Sequence, residues 1–383
     1  MDIKLGIIGA GQLGMYLCQA ARRLGITTTL FAEEADMPAV PFADHIVIGP
    51  LDDPDSLASF LATSDVVTFD KEDIPDQSLA AIKRAQEAGD VVSHPDVDTL
   101  SLIKDKGLQK QWLADQDFPT LPYRLVDSAT PNAELEEAFG LPLVQKARRG
   151  GYDGMGVQII DDLAERWDTP SVIETFLADC REISILLARG RDGQVEVYPP
   201  LGMAFDENLN ALSTVITPAD IPEALGEEAL ALASDIITRL NEVGIYAVEM
   251  FIDPDDRLWV NEISPRVHNS GHLTKEAASA SQFEQHVRAA VGLPLVEVKM
   301  TASASAMVNV LYEDKLESVC PDSPIISRSS DSATTVYWYG KEPGRQGRKM
   351  GHIVALAETA EEAARLAQER LAKLPEDDRD KAA

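Results

Sequence analysis

The sequence predicts an α/β protein of several domains whose first unit is a doubly wound parallel sheet, and three observations carry that prediction. Over the first hundred residues, short β-branched runs alternate with helical patterns, as in βαβ units. A glycine-rich turn, Gly9-Ala10-Gly11-Gln12-Leu13-Gly14, joins the first such run to the first helical pattern. The chain of 383 residues exceeds what one core ordinarily fills and implies two or three domains packed together.

Taken in order, Ile3 to Ile8 reads as a strand, Gln12 to Leu24 as a helix and Thr27 to Phe31 as a second strand. Further strands are expected at His45 to Ile48, Val66 to Phe69 and Asp90 to Val92, with helices at Leu57 to Ala62 and Gln77 to Glu87 between them. Such alternation builds the doubly wound arrangement. A helix from Ile103 to Gln116 follows, then a β-rich stretch punctuated by Pro119, Pro122, Pro131 and Pro142, then the glycine cluster Gly150 to Gly156. Strands at Ile183 to Ala188 and Val195 to Tyr198 lead into a long helix, Pro222 to Val243. Two strands, Tyr246 to Ile252 and Leu258 to Asn261, precede a helix from Thr274 to Val291. The last eighty residues alternate strands with one amphipathic helix, Ala360 to Leu374, and the charged end from Glu376 to Ala383 is expected to fray.

Composition narrows the function. Asp and Glu outnumber Lys and Arg by 64 to 34, giving a formal net charge of -30, which repels nucleic acid and anionic lipid and leaves nucleic acid out as a partner. Any phosphate site must therefore gather its basic residues locally. Cys18, Cys180 and Cys320 lie far apart, with neither disulfide nor zinc spacing, which fits a reducing compartment. The opening run Leu5 to Ala10 lacks the flanks of a signal peptide, and no apolar stretch approaches the roughly 20 residues that span a bilayer. A cytoplasmic protein is expected.

Four clusters carry chemistry. The glycine turn has the context in which backbone N–H groups and a helix N-terminus approach a phosphate. Alone it equally fits a dinucleotide fold, with Glu33 or Glu34 at the place of the ribose-binding acid, or a purely structural turn. Lys146-Ala147-Arg148-Arg149 ends a strand and runs into Gly150-Gly151-Tyr152-Asp153-Gly154-Met155-Gly156, a loop able to fold over a triphosphate while the lysine neutralises its oxygens. Glu249 and Glu262 lie on strands joined by the turn Asp253-Pro254-Asp255-Asp256, so a hairpin brings two carboxylates and the Asn261 amide together. Two carboxylates with few other protein ligands suit Mg²⁺ bound to a nucleotide, because that ion keeps waters and phosphate oxygens. Finally, Pro265-Arg266-Val267-His268-Asn269-Ser270-Gly271-His272 packs polar groups directly after the Glu262 strand, and Tyr339-Gly340-Lys341 with Gly347-Arg348-Lys349-Met350-Gly351-His352 concentrates positive charge near the end. The first reads as substrate handling, the second as a phosphate anchor.

In this order the segments resemble the 5-(carboxyamino)imidazole ribonucleotide synthase family of ATP-grasp enzymes, from about Gly6 to His352. The most specific pieces are Asn261 to His272 continuing into Ser281 to Ala289, then Gly151 to Gly154, and Gly347 to His352. The resemblance implies an ATP-grasp fold of three domains with an extension: an N-terminal pre-ATP-grasp unit over 1–101, a glycine-loop lid over 102–178, a core over 179–300 and a β-rich C-terminal extension over 301–383. It implies that ATP, bicarbonate and 5-aminoimidazole ribonucleotide are the substrates, that carboxyphosphate forms between them, that Mg²⁺ is needed, and that the protein is a homodimer. Residue by residue it implies ATP contacts at Lys106, Lys146, Gly151, Gly154 and Asn261, the adenine hinge at Glu174 and Leu177, and the nucleotide ribose at Glu182. Glu249 and Glu262 fall at the metal ligands, and Arg266, Asn269 and His272 border the reacting centre. Gln12, Leu13, Tyr152, Asp153, Lys341, Arg348 and Lys349 are similar to positions that hold the aminoimidazole ribonucleotide. Asp70 stands where Glu is commoner, and Tyr198 to Phe205 replaces a Glu-Asn-x-His run that many members carry.

Other readings remain at this stage. Another ATP-grasp ligase, such as formate-dependent glycinamide ribonucleotide transformylase, would share the nucleotide apparatus and differ in acceptor. The altered segment at Tyr198 raises a non-catalytic nucleotide-binding relative, and the glycine turn an oxidoreductase.

Overall fold

The computed structural model describes residues 3–151, 156–206, 211–312, 324–328, 333–341 and 346–377. Tyr152, Asp153, Gly154 and Cys320 lie outside these residues, as does all but the first two residues of the stretch from Glu376 to Ala383.

The N-terminal unit holds strands β1 (Lys4–Ile8), β2 (Thr27–Ala32), β3 (His45–Ile48), β4 (Val66–Phe69) and β5 (Val92–Ser93) with helices α1 (Gln12–Arg23), α2 (Pro54–Leu61) and α3 (Asp76–Ala88). Its sheet is parallel in the order β3-β2-β1-β4-β5, so the chain turns to the opposite side of β1 between β3 and β4. The fifth strand is shorter than the sequence predicts, two residues at the sheet edge.

Between this unit and the next, the single helix expected from Ile103 to Gln116 is two: α4 (Val97–Lys104) and α5 (Lys106–Asp115). Asp105 is extended, with φ -97 and ψ 104, and its Oδ1 accepts from the Gly107 N–H at 2.9 Å and the Leu108 N–H at 3.2 Å. A carboxylate that caps a new helix competes with continuation of the old one. The proline-punctuated stretch contains β6 (Tyr123–Val126), a helix not anticipated there, α6 (Asn132–Phe139), and then β7 (Leu143–Ala147), β8 (Val157–Ile160) and β9 (Ser171–Thr175) in an antiparallel sheet, β6-β9-β7-β8. Only Leu135 of α6 is buried, which is why its helical periodicity is weak.

The remaining strands form one large sheet. They are β10 (Arg181–Arg189), β11 (Val195–Val197), β12 (Leu201–Asp206), β13 (Ala211–Thr217), β14 (Gly244–Ile252), β15 (Leu258–Ser264), β16 (Ala304–Leu311), β17 (Pro324–Arg328), β18 (Thr334–Tyr339) and β19 (Lys349–Ala357). Helix α7 (Glu223–Leu240) ends at Asn241 in the left-handed region, φ 55. The helix expected from Thr274 to Val291 breaks into α8 (Thr274–Ala277) and α9 (Gln282–Val291), because Ala278 is extended and Ser281 caps α9 through the Glu284 N–H at 3.2 Å. Helix α10 (Ala360–Asp377) packs on β16 and β19, inside the C-terminal half of the sheet.

The largest apolar interior ties these parts into one body. Leu17 and Ala21 of α1, Phe283 and Val287 of α9, and Tyr337, Tyr339 and Val354 of the C-terminal strands share it. His286 fastens the first sheet to the large one: its Nε2 meets the Thr68 Oγ1 at 2.6 Å and its Nδ1 accepts from the Ile245 N–H at 3.0 Å. Since Nδ1 accepts, Nε2 carries the proton and donates to Thr68. Burial lowers this imidazole to about 3, so it is neutral. Cys18 and Cys180 are free thiols. Among the described residues no helix is long and apolar enough to cross a membrane.

Candidate active site

The hairpin β14/β15 places Glu249 directly opposite Glu262, with a bulge just after Glu249. Strand β15 runs three residues further than the sequence suggests, which keeps Glu262 inside the ladder. Glu182 enters from β10, opposite Phe251, so alternation puts it on the face shared by Glu249. Facing these carboxylates, Lys106 at the start of α5 pairs with Glu262, and Lys146 of β7 donates to the Asn261 Oδ1 at 2.7 Å and to the Glu174 Oε2 at 2.8 Å.

Three carboxylates against two lysines leave an acidic excess, and the protonation equilibria register it. Burial, then Glu262 and Glu182, push Glu249 up; burial raises Glu182 to about 7. Glu262 is desolvated too, but Lys106 beside it outweighs burial and holds it below the usual carboxylate range. A buried carboxylate that resists ionisation lacks a cation, so this donor set fits a divalent one. Among the described residues no group of three or more His, Cys, Asp or Glu side chains is arranged to hold a metal. Two glutamates completed by phosphate oxygens therefore suit Mg²⁺ better than a protein-enclosed ion.

Behind the hairpin, Glu174 of β9 is 1 % exposed between two ammonium groups, Lys146 and Lys110, the latter at 3.0 Å. Burial opposes its charge, yet the two lysines together hold it down to about 2. Lys110, itself desolvated, is lowered to about 8 and also donates to the Thr120 Oγ1 at 2.6 Å. Sequence reading missed Lys110, though it lies four residues after Lys106 and so on the same helical face. Asp105 was likewise passed over; besides capping α5 it takes the Arg148 guanidinium on both oxygens at 2.8 Å, tying the root of the glycine loop to the helix that carries Lys106. Gly151 opens that loop and Leu177 follows β9, half-buried.

A second group lies toward the first sheet. Arg266 pairs with Glu72 at 2.7 Å, another residue not singled out beforehand, and His268 reaches the Glu249 Oε1 with Nε2 at 3.3 Å. Lys341 donates to the Gln12 Oε1 at 2.8 Å, joining the C-terminal strands to the glycine turn, and Leu13 is buried on α1 beside it. Lys349 opens β19, 6 % exposed, and its charge is felt by Glu249. The Arg348 carbonyl accepts from the Tyr312 N–H at 2.7 Å, which fixes its backbone at the head of β19. The glycine turn itself is filled from within. The Asp70 carboxylate accepts from the Gly11 N–H at 2.8 Å, and a Cβ at Gly9, whose φ is +105, would stand 1.6 Å from Asp70 Oδ1. An internal carboxylate thus occupies the place where a dinucleotide phosphate would sit, which sets aside the oxidoreductase reading.

The polar loop is less open than its composition suggests. Asn269 exchanges amide hydrogen bonds with Asn309 at 3.2 and 2.8 Å, and His272 is 0 % exposed, stacked on His352 with ring centroids 4.5 Å apart. Burial drives His272 far below the ordinary imidazole range, so it is neutral. Both residues wall the site from behind; Arg266 and His268 are the members of the loop that face its carboxylates.

The chain matches three family models in succession: the ribonucleotide synthetase preATP-grasp domain over residues 2–104, the ATP-grasp domain over 111–283 and the phosphoribosylaminoimidazole carboxylase C-terminal domain over 305–366. It is 34% identical over 357 residues to an N5-carboxyaminoimidazole ribonucleotide synthase of Synechococcus elongatus, covering 91% of this chain and 88% of that one. A protein of the same name from Brucella melitensis is 35% identical, covering 92% and 96%. Among solved structures, N5-carboxyaminoimidazole ribonucleotide synthetase from Thermotoga maritima superposes with a TM-score of 0.84 at 32% identity, over 97% of this chain and 98% of that chain. The Aspergillus clavatus enzyme in complex with ADP and 5-aminoimidazole ribonucleotide gives 0.83 at 26% identity, over 98% and 99%.

Proposed function

Because the chain belongs to the N5-carboxyaminoimidazole ribonucleotide synthase family of ATP-grasp ligases, we propose that it carboxylates 5-aminoimidazole ribonucleotide with bicarbonate at the expense of ATP, in purine biosynthesis. The observation that carries this reading is the facing pair Glu249 and Glu262 with Lys106 and Lys146 against it, a donor set of the kind a metal-bound triphosphate needs.

In this reading the adenine rests against Leu177, with Glu174 of the same hinge engaged behind it by Lys110 and Lys146, the nucleotide ribose lies against Glu182, and the phosphates against Lys106, Lys146 and Asn261. Gly151 and Gly154 contact the same phosphates. Glu249 and Glu262 would hold Mg²⁺, which would lower the charge cost of transferring the terminal phosphoryl group. A bicarbonate oxygen attacks the γ-phosphorus and ADP departs. The Arg266 guanidinium offsets the charge of the carboxyphosphate so formed and the His268 ring lies within hydrogen-bonding reach of it, with Asn269 and His272 packed behind them. Its C–O bond to phosphate then breaks to give CO₂, and the exocyclic amine of the ribonucleotide attacks the carbon while its proton leaves to the phosphate just released. No covalent bond to the protein is required.

The acceptor is held by Gln12, Leu13, Tyr152 and Asp153, its phosphate by Lys341, Arg348 and Lys349. In this reading the units 102–178 and 179–300 together hold the nucleotide, while 1–101 and 301–383 hold the acceptor and its phosphate. A cytoplasmic homodimer with small-molecule substrates is the accompanying proposal. The test is ADP release from ATP and Mg²⁺ in bicarbonate buffer, with and without 5-aminoimidazole ribonucleotide. Strong stimulation by the ribonucleotide, with bicarbonate carbon in an acid-labile carbamate, is expected. Turnover indifferent to it would point to a different acceptor, and no turnover to a non-catalytic relative.

A further inference from the structure

We propose that Lys71 is a further, specificity-determining contact for the acceptor, taking the anionic phosphate end of a ribose 5-phosphate group at the mouth of the first sheet. The inference rests on the acceptor reading above and extends it to a residue with no role in it.

The place is set by topology. Strand β1 is flanked by β2 on one side and β4 on the other, the point where strand order reverses, and small ligands bind outside the carboxyl ends of strands there. Two things are unusual about this crevice. Its floor, the N-terminus of α1, is already occupied by the Asp70 carboxylate, so an incoming phosphate finds no free backbone N–H at Gly11. Recognition therefore passes to side chains on the rim. Across that rim, Lys71 after β4 reaches Glu33 after β2, Nζ to Oε2 2.7 Å, bridging the end of β1. Both side chains are accessible, 34% and 46% exposed, so the bridge is open to exchange with a ligand.

The rim continues to the reacting centre as a line of charges. Lys71 and Arg266 both act on Asp70, Arg266 pairs with Glu72, and Glu72 acts on Lys106, which pairs with Glu262. An aminoimidazole ribonucleotide is a bar with its amine at one end and its phosphate at the other. With the amine at Arg266, near the carboxylates, the phosphate end lies at the glycine turn, where Lys341 meets Gln12 and where Lys71 acts on the Asp70 carboxylate bound to the Gly11 N–H. Without Lys71 the rim would present Glu33, Asp70 and Glu72 to a dianion with less to oppose them. Lys71 thus works twice: it offsets those carboxylates and it exchanges Glu33 for the phosphate of the ligand.

Lys71→Met keeps the length of the stem and removes the charge at an exposed position, so the fold is not at stake. In steady-state assays the variant is expected to show about a tenfold rise in KM for 5-aminoimidazole ribonucleotide, with KM for ATP and kcat within about twofold of the parent. Lys71→Arg is expected to restore most of the loss. An unchanged ribonucleotide KM, or an equal rise for ATP, overturns the inference. Calorimetry with ribose 5-phosphate, which needs no turnover, separates this from failure of the functional reading. Weaker binding of ribose 5-phosphate by Lys71→Met than by the parent supports the contact even if the parent fails to carboxylate the ribonucleotide. Equal affinity, or binding by neither, overturns the contact even if the parent does carboxylate it.

Discussion

Glu174→Gln removes the one negative charge between two buried ammonium groups while keeping the volume and one carbonyl acceptor. At the observed 3.0 and 2.8 Å to Lys110 and Lys146, an effective dielectric of about 20 gives gross attractions of about 5.5 and about 6 kcal/mol. Desolvation of the three groups offsets much of this, and breaking a buried pair by deleting one partner costs about 3–5 kcal/mol net. Lys146 keeps the Asn261 oxygen and Lys110 keeps Thr120, so the lower end, about 3 kcal/mol, is expected. Urea unfolding followed by tryptophan fluorescence suits the measurement, because Trp112 lies on the helix that carries Lys110. Lys110 is already lowered to about 8 with Glu174 present. In the variant it falls further, the unfolded chain then binds the extra proton, and stability recovers as pH rises toward 9. The double variant Lys110→Met/Glu174→Gln should cost less than the sum of the singles by about 2 kcal/mol, since no unpaired ammonium remains at Lys110. A single-variant loss under about 1 kcal/mol, or strict additivity, would refute a charge-paired interior here.

Three further outcomes are expected. Glu262→Gln should lower ATP turnover by about a thousandfold with an unchanged circular dichroism spectrum, because the charge facing the metal is lost and the volume is kept; wild-type-like turnover would sink the metal assignment. Arg348→Ala should raise KM for the ribonucleotide about tenfold and leave that for ATP nearly unchanged, and equal effects on both would argue against a phosphate anchor. His286 is neutral and lowered to about 3 in the folded state, so its stabilising share is complete above the unfolded value of about 6.5 and is lost as pH falls below it, about 2 kcal/mol between pH 7 and 5. Urea midpoints at those two pH values should therefore differ less in His286→Gln, and parallel losses would refute the assignment.

What the sequence revealed follows from range. The glycine turn, the parallel strands and the Glu249/Glu262 hairpin were legible because each is written in a few adjacent residues, the hairpin by Asp253-Pro254-Asp255-Asp256 between two apolar runs. The break at Asp105 was not, because apolar residues continue at helical spacing through it and only the capping geometry shows that two helices meet. The loop from Arg266 to His272 misled in a different way. Its polar composition suggested an open site, yet Asn269 and His272 find their surroundings in Asn309 and His352, some 40 and 80 residues later, contacts that no local pattern announces. The partners Glu72 and Lys110 were hidden for the same reason: each matters through a side chain distant in sequence, Arg266 for one and Glu174 for the other.

The acidic excess, which composition alone makes a puzzle for a protein with anionic substrates, takes on a definite shape in the site. Five cations there are held by an acid or amide of the chain: Lys106 by Glu262, Lys146 by Glu174 and Asn261, Arg266 by Glu72, Lys341 by Gln12 and Lys71 by Glu33. These partners fix the cations before any substrate arrives, so little side-chain freedom remains to be lost on binding. They also make each substrate phosphate a competitor for a cation already engaged. With a formal charge of -30 the long-range field repels such a ligand, and at physiological ionic strength that field fades within about 8 Å. Affinity must then come from exchange at contact distance, where a ligand gains only if it offers more acceptor oxygens, in the right places, than the carboxylate it displaces. A triphosphate or a phosphate monoester does; a simple carboxylate does not. For the two phosphate-bearing ligands of the proposed reaction, the internal pairs would therefore act as a threshold that is crossed by displacement rather than by long-range attraction.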